Sequence, residues 1–191
     1  MELPSALNHL QPVNIPPERG KVGDLIDIIL DDCYGLEQLQ KKTSNPNLKI
    51  LDVGANVGLF SLAARLNFPQ AVIHAYEPNP NLDQYLKTDA ETANFQYYLE
   101  ALGAEDGRVK LNFKDVSFKT RSKVDPTGDV PMVSLSRAIE RLGGRVDLAK
   151  LDCEGRETMI SCQHSVKNPK AGNHRVRESN GGCIALKAVY W

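Results

Sequence analysis

No apolar run in this sequence approaches the roughly 18 residues that a membrane-spanning helix requires. No basic-then-apolar start marks a secretory leader either. A dominant charge is also missing. The chain carries 23 Lys and Arg against 24 Asp and Glu, a net charge of −1 with a pI near 6.4. That balance supplies no attraction to nucleic acid or to an anionic membrane, so neither is an expected partner. Cys33, Cys153, Cys162 and Cys183 form no CxxC pair and no zinc-finger spacing, so they read as reduced thiols. His164 and His174, although near two of those cysteines, match no metal motif. There is no internal repeat and no low-complexity segment. What is left is a soluble, cytoplasmic protein of 191 residues, enough for one domain with a sizeable core.

The first 20 residues hold four prolines and read as an extended lead-in. From Val22, the apolar residues Leu25, Ile26, Ile29 and Leu30 fall at helical spacing, and Leu36 to Lys42 offers a short second helix. This layer, residues 1–47, is expected to pack on the domain or to form a lid. Ile50 to Gly58, ILDVGANVG, then runs from an apolar strand through a glycine turn into the helical pattern LFSLAARL. AVIHAY is a second strand that ends at Glu77. Pro80 suits the first turn of a helix reaching Ala93, and FQYYLE is a third strand. The β-α-β-α-β order predicts an α/β fold with a parallel sheet. Residues 109–118 read as a hairpin or an added strand pair, and KTRSKVDPTGD as a polar loop. VPMVSL follows as a strand, SRAIERLGG as a short helix and VDLAKLDCEG as the fourth parallel strand. The tail, 161–191, carries five Lys or Arg against one Glu. It is too short and polar to finish a doubly wound sheet, since one βαβ unit takes about 30 residues. The expectation is a sheet that is incomplete on its C-terminal side, or a tail that is a local addition. An open edge would favour self-association.

A strand, a glycine turn and a helix can hold NAD, FAD or S-adenosylmethionine. A dinucleotide site wants G-x-G-x-x-G, whose second glycine lets the backbone approach a pyrophosphate. Here the run is Gly54-Ala55-Asn56-Val57-Gly58, with Asn56 in that place. Asp52, two residues before the first glycine, adds negative charge unfavourable to phosphate but suited to an ammonium and a sulfonium. Glu77 stands 23 residues after Gly54, close to the offset of about 20 at which an acid accepts the ribose hydroxyls. Its alternative is a solvated carboxylate at a helix N-terminus. His74, in mid-strand, reads as a packed, hydrogen-bonded histidine.

ILDVGANVGLFSL, HAYEPNP, EALGAEDG, VPMVSL and KLDCEGRE, in this order, resemble the FkbM family of S-adenosylmethionine-dependent methyltransferases over about Leu48 to Ile160. The resemblance implies a Rossmann-like class I methyltransferase sheet over residues 48–160. It also implies O-methylation of a hydroxyl on a sugar or other small metabolite. By position it assigns Gly54, Ala55, Asn56 and Gly58 to the turn beneath the cofactor and Glu77 to the ribose. Ala101, Leu102 and Gly103 go to the adenine, and Asp152 and Glu154 to the reacting face. The chain departs from the family's pattern at Arg156 and after Ile160.

Methyl transfer from a sulfonium is an in-line displacement that depends on orientation, and a base for the acceptor's proton assists it. Asp152 is the first candidate for that base. It could instead hydrogen-bond the cofactor's ammonium or cap the following helix. Glu154 is a second candidate, and Glu157 a surface charge. Two carboxylates alone do not define a Mg²⁺ site, so no metal is expected. Two other readings stay open: an inactive, truncated fragment that binds the cofactor weakly or not at all, and an NAD-dependent oxidoreductase.

Overall fold

The computed structural model describes Val13, Ile15, Pro16 and residues 21–113 and 120–151. Asp152, Glu154 and the tail 161–191 lie outside the described residues, as do His164, His174 and three of the four cysteines.

Apolar periodicity builds the first layer. α1 (Lys21–Leu25) runs directly into a π-helical turn, Ile26–Leu30, and α2 follows at Leu36–Lys42. The Asp32 carboxylate accepts from the backbone N–H groups of Leu36 and Glu37, which satisfies two donors at the start of α2. Leu25, Ile28, Ile29 and Tyr34 pack against the core, with Tyr34 edge-on to Phe60 at 5.0 Å.

Four parallel strands form the main sheet, in the order β3-β2-β1-β8. They are β1 (Lys49–Val53), β2 (Val72–Tyr76), β3 (Gln96–Tyr98) and β8 (Leu148–Leu151). Both faces are covered, as a parallel sheet requires. Ile50, Ile73, Ala75 and Leu148 point to the side packed by α2, α3 (Leu59–Asn67) and α4 (Asp83–Ala93). Leu51, Val53, Tyr76, Ala149 and Leu151 point to the side packed by α5 (Leu135–Arg141). The period of two therefore divides each strand between two cores. Each fully buried Leu, Ile or Phe contributes about 1.5–3 kcal/mol. Helices on both faces of a parallel sheet with this strand order make a Rossmann-like α/β fold. Among the described residues no helix is long and apolar enough to cross a membrane.

A second sheet, β4-β7-β5-β6, branches from the first. It comprises β4 (Ala101–Gly103), β5 (Gly107–Phe113), β6 (Thr120–Val124) and β7 (Val130–Ser134). β4 begins three residues after β3 ends, so the sheet is rooted at the carboxyl ends of the parallel strands. Within the segment expected as the loop KTRSKVDPTGD, Thr120–Val124 is instead a strand, while residues 125–129 form a turn. β6 pairs antiparallel with β5, from Val109 opposite Val124 to Phe113 opposite Thr120. Cross-strand pairing overrode a polar composition. The remaining turn folds onto β5, and a Cβ on Gly128 would collide with the Val109 carbonyl oxygen.

Gly58 opens α3 at φ +93°, where a Cβ would also stand 3.1 Å from Phe95 and 3.2 Å from Leu86. Strain and crowding act together there. Gly58→Ala is expected to cost about 1–3 kcal/mol of folding free energy, read as a lower urea midpoint at unchanged slope.

Candidate functional site

The turn after β1 sits where a ligand crevice forms in open α/β sheets, at the carboxyl ends of the strands. Gly54 (φ +73°) and Asn56 (φ +55°) are both left-handed, a conformation that asparagine tolerates. The N–H groups of Gly54 and Ala55 both donate to the Tyr76 carbonyl, at 2.9 and 3.0 Å, and tie the turn to the end of β2. The Gly58 N–H closes it onto the Ala55 carbonyl at 2.8 Å.

Glu77 holds the turn from the side. Its Oε2 accepts from the Asn56 N–H and its Oε1 from the Asn79 N–H, each at 2.9 Å. Only 8 % of the residue is exposed, so the structure excludes the solvated-carboxylate alternative. The E-P-N-P stretch explains itself locally. Asn79 accepts from the Asn81 N–H, and Pro80 starts the 3₁₀ turn Pro80–Leu82, where a missing N–H costs nothing. Burial raises the Glu77 pKa above its ordinary value of 4.5. The Asn79 and Asn56 N–H groups and the Lys150 charge oppose that rise, and Asp52 adds to it.

Asp52 is fully buried, and its partner is not the one its sequence position predicts. Oδ2 accepts from the Ser61 hydroxyl at 2.8 Å, and Oδ1 lies 3.0 Å from the Lys150 ammonium. Lys150 stands directly opposite Asp52 across the β1–β8 pair. It also donates to the Gly54 carbonyl at 2.6 Å and lies 6.0 Å from the Phe60 ring centroid. The negative charge expected to greet a cationic ligand is thus compensated from within the protein. Sequence reasoning assigned no role to Lys150 or Ser61. The available signal was a lysine inside the buried strand LAKL, since a buried cation requires an anion on a neighbouring element.

The structure brings Asp52, Gly54, Ala55, Asn56, Gly58 and Glu77 together around one turn. Ala101 and Leu102 lie elsewhere, in β4, opposite Met132 and Val133. Leu102 packs against the cluster that contains Val53, Tyr76 and Leu151. His74 is packed as expected, edge-on to Tyr98 at 5.5 Å. Its Nδ1 has no hydrogen-bond partner among the described residues, however. Burial, then Lys49 and Arg141, lower its pKa, so the imidazole is neutral at pH 7. Among the described residues no three His, Cys, Asp or Glu side chains gather as a metal-ligating group.

The donor set fits a ribose better than a pyrophosphate. The Asn56 N–H, which a dinucleotide turn would offer to phosphate, is committed to a carboxylate. Among the described residues each Glu77 oxygen accepts one backbone N–H, and a carboxylate has about four acceptor positions, so capacity remains for a diol.

A glycine turn at the carboxyl ends of a parallel sheet, flanked by a buried carboxylate, is the arrangement in which Rossmann-like α/β proteins form a ligand crevice. The comparisons narrow the class. Residues 52–160 match the methyltransferase FkbM domain, more than half of the chain, and the chain belongs to that family. S-adenosylmethionine is the cofactor that membership implies. The chain is similar to methyltransferase sdnD of Sordaria araneosa, 48 % identical over 54 residues, which cover 28 % of this chain and 19 % of that protein. It is similar to methyltransferase 1 of Beauveria bassiana (strain ARSEF 2860), 30 % identical over 90 residues, covering 46 % and 34 %. It is also similar to 31-O-demethyl-FK506 methyltransferase FkbM of Streptomyces tacrolimicus, 39 % identical over 54 residues, covering 28 % and 20 %. The matches therefore span about a fifth to a third of these relatives' own lengths. Among solved structures, coclaurine N-methyltransferase bound to N-methylheliamine and SAH matches at a TM-score of 0.29 and 13 % identity. That match covers 53 % of this chain and 33 % of the other.

Lys150→Met would leave the Asp52 carboxylate buried without its cation. The expected loss is about 3–5 kcal/mol in chemical denaturation. The double variant Asp52→Asn/Lys150→Met should recover most of it, because both charges then leave together.

Proposed function

We propose that this chain is an S-adenosylmethionine-dependent O-methyltransferase acting on a hydroxyl of a sugar or other small metabolite. One observation carries the cofactor side of this reading. Glu77 is a buried carboxylate held by the Asn56 and Asn79 N–H groups beside the glycine turn, with acceptor capacity left for a ribose diol. Family membership supports the reaction class.

In this reading Glu77 accepts from the ribose hydroxyls while Gly54, Ala55 and Asn56 shape the floor of the site. Ala101 and Leu102 serve the adenine. The bound cofactor supplies an electrophilic methyl group on its sulfonium. Asp152 takes the acceptor hydroxyl's proton as the new bond forms, and Glu154 orients the acceptor. Both residues lie outside the described residues. The support for Asp152 is chain connectivity: it directly follows Leu151, which pairs with Val53, the residue before Gly54.

A hydrogen bond to a charged group contributes about 1.5–3 kcal/mol. Glu77→Ala is therefore expected to weaken S-adenosylhomocysteine binding by roughly ten- to a hundred-fold in calorimetry. Hydroxyl donors favour the ionised carboxylate, so affinity should fall as the pH drops through the raised Glu77 pKa. The midpoint should lie above 4.5, and Glu77→Ala should remove that step. Unchanged affinity in this variant, or stabilisation of the wild type by NAD alone in a thermal shift, would overturn the cofactor assignment.

Asp152→Asn should lower kcat by about 10²- to 10⁴-fold on an accepted substrate while cofactor affinity stays within about three-fold. A variant that kept full kcat would remove Asp152 from the base role.

A further inference from the structure

β5 and β6 form a two-stranded ribbon whose register places Lys110 directly opposite Lys123. Alternation puts Arg108 on the same face of β5, and the register position of Asn112, two residues further on, faces Arg121. Over 107–113 and 120–124 the ribbon carries four basic residues and no acidic one, in a chain whose net charge is −1. Like charges placed directly opposite one another destabilise a strand pair. Lysines on an edge strand guard against edge-to-edge pairing, and that accounts for Lys123 on β6. It does not account for Arg108, which lies where β5 is bonded on both sides, to β7 and to the Asp125 N–H that follows β6; Lys110 lies beyond the β5–β7 pairing, which ends at Val109. Lys110 and Lys123 are both exposed.

The Asp125 carboxylate interacts electrostatically with both lysines, and it accepts from the Thr127 N–H at 2.9 Å and the Thr127 hydroxyl at 2.7 Å. The Arg108 guanidinium donates to the neutral carbonyls of Gly128 and Asp129, so its charge is not cancelled there. The location is also informative. The ribbon belongs to the sheet rooted at the carboxyl ends of the parallel strands, where Leu102 and Val133 pack with Val53, Tyr76 and Leu151. This is the end that carries the glycine turn and Glu77.

We propose that the Lys110–Lys123 face of the β5–β6 ribbon binds the phosphate group of a phosphorylated acceptor. The proposal rests on the methyltransferase reading for the word acceptor, though not for the anion site. Directly opposed side chains have Cβ atoms about 4.5–5.5 Å apart, close enough for two ammonium groups to share one phosphate. Arg108 extends the positive field along the ribbon, which suits a diphosphate better than a single carboxylate. Among the described residues the side chains on this face, Arg108, Lys110, Asn112 and Lys123, include no aromatic to stack a base, which disfavours single-stranded nucleic acid.

The test titrates inorganic pyrophosphate into the full chain at low and at physiological salt. It compares the wild type with Lys110→Gln/Lys123→Gln and with Lys41→Gln/Lys42→Gln, which removes the same charge from α2. Pyrophosphate binding that weakens with salt, falls about ten-fold in the ribbon variant and changes less than two-fold in the control would support the site. No binding to the wild type at millimolar pyrophosphate, or equal weakening in both variants, would overturn it. Tighter binding of an oligo-aspartate peptide than of pyrophosphate would also overturn it, in favour of an acidic protein partner. Thermal shift with S-adenosylhomocysteine runs in parallel on all three proteins. Its failure in every protein would remove the methyltransferase reading and leave the anion site standing. An unchanged shift in the ribbon variant shows that the variant is folded.

Discussion

A carboxylate and an ammonium lie side by side in the core, on neighbouring strands of a parallel sheet, and both are almost fully removed from water. Charges can stay in such a place only as a pair with further hydrogen bonds, which Ser61 and the Gly54 carbonyl supply here. The consequence is geometric before it is energetic. Asp52 and Lys150 can meet only if β1 and β8 are neighbours in one register. A one-residue slip of β8 would turn Lys150 into the apolar cluster beneath α5 and strand Asp52 without a cation. The same ammonium bonds the first residue of the glycine turn, so one side chain sets both the sheet register and the position of the loop above it.

The turn is held from a second direction by Glu77, and the two anchors divide the work. Lys150 fixes the Gly54 end and Glu77 the Asn56 end. Between them the backbone has no freedom to present the N–H array that a pyrophosphate needs. Asp52 does not discriminate by its charge, because that charge is compensated. In the proposed function, discrimination comes from where the Asn56 N–H is directed and from the acceptor capacity remaining on Glu77. Lys150 also opposes the effect of burial on Glu77, so the buried pair and the proposed ribose acceptor are electrostatically linked.

Much of the architecture is legible in the sequence. Period-two strands alternating with period-3.6 helices from Lys49 to Asn94 give a parallel sheet with few alternatives. The place of Glu77 at the end of β2, beside the glycine turn, was legible; that it is buried there and accepts the Asn56 and Asn79 N–H groups was not. KTRSKV was not legible as a strand. Its own composition is that of a loop, and what makes it β6 is the exposed partner β5. Ala101 and Leu102 were legible as a position in the family's pattern. That they root a second sheet rather than continue the first depends on β7, some thirty residues later.

By itself, then, the sequence determined the local events: where strands and helices alternate, where the chain turns through Gly54 and Gly58, and which carboxylate ends β2. These depend on neighbours a few residues apart. The tertiary structure alone decided that Asp52 meets Lys150, 98 residues away, and that Asn56 bonds Glu77. It also decided that Lys110 confronts Lys123 across a strand pair. Each of these is a contact between charged or polar groups that fold topology brings together. Burial then makes the first two costly to leave unpaired, and no local pattern in the chain encodes that cost.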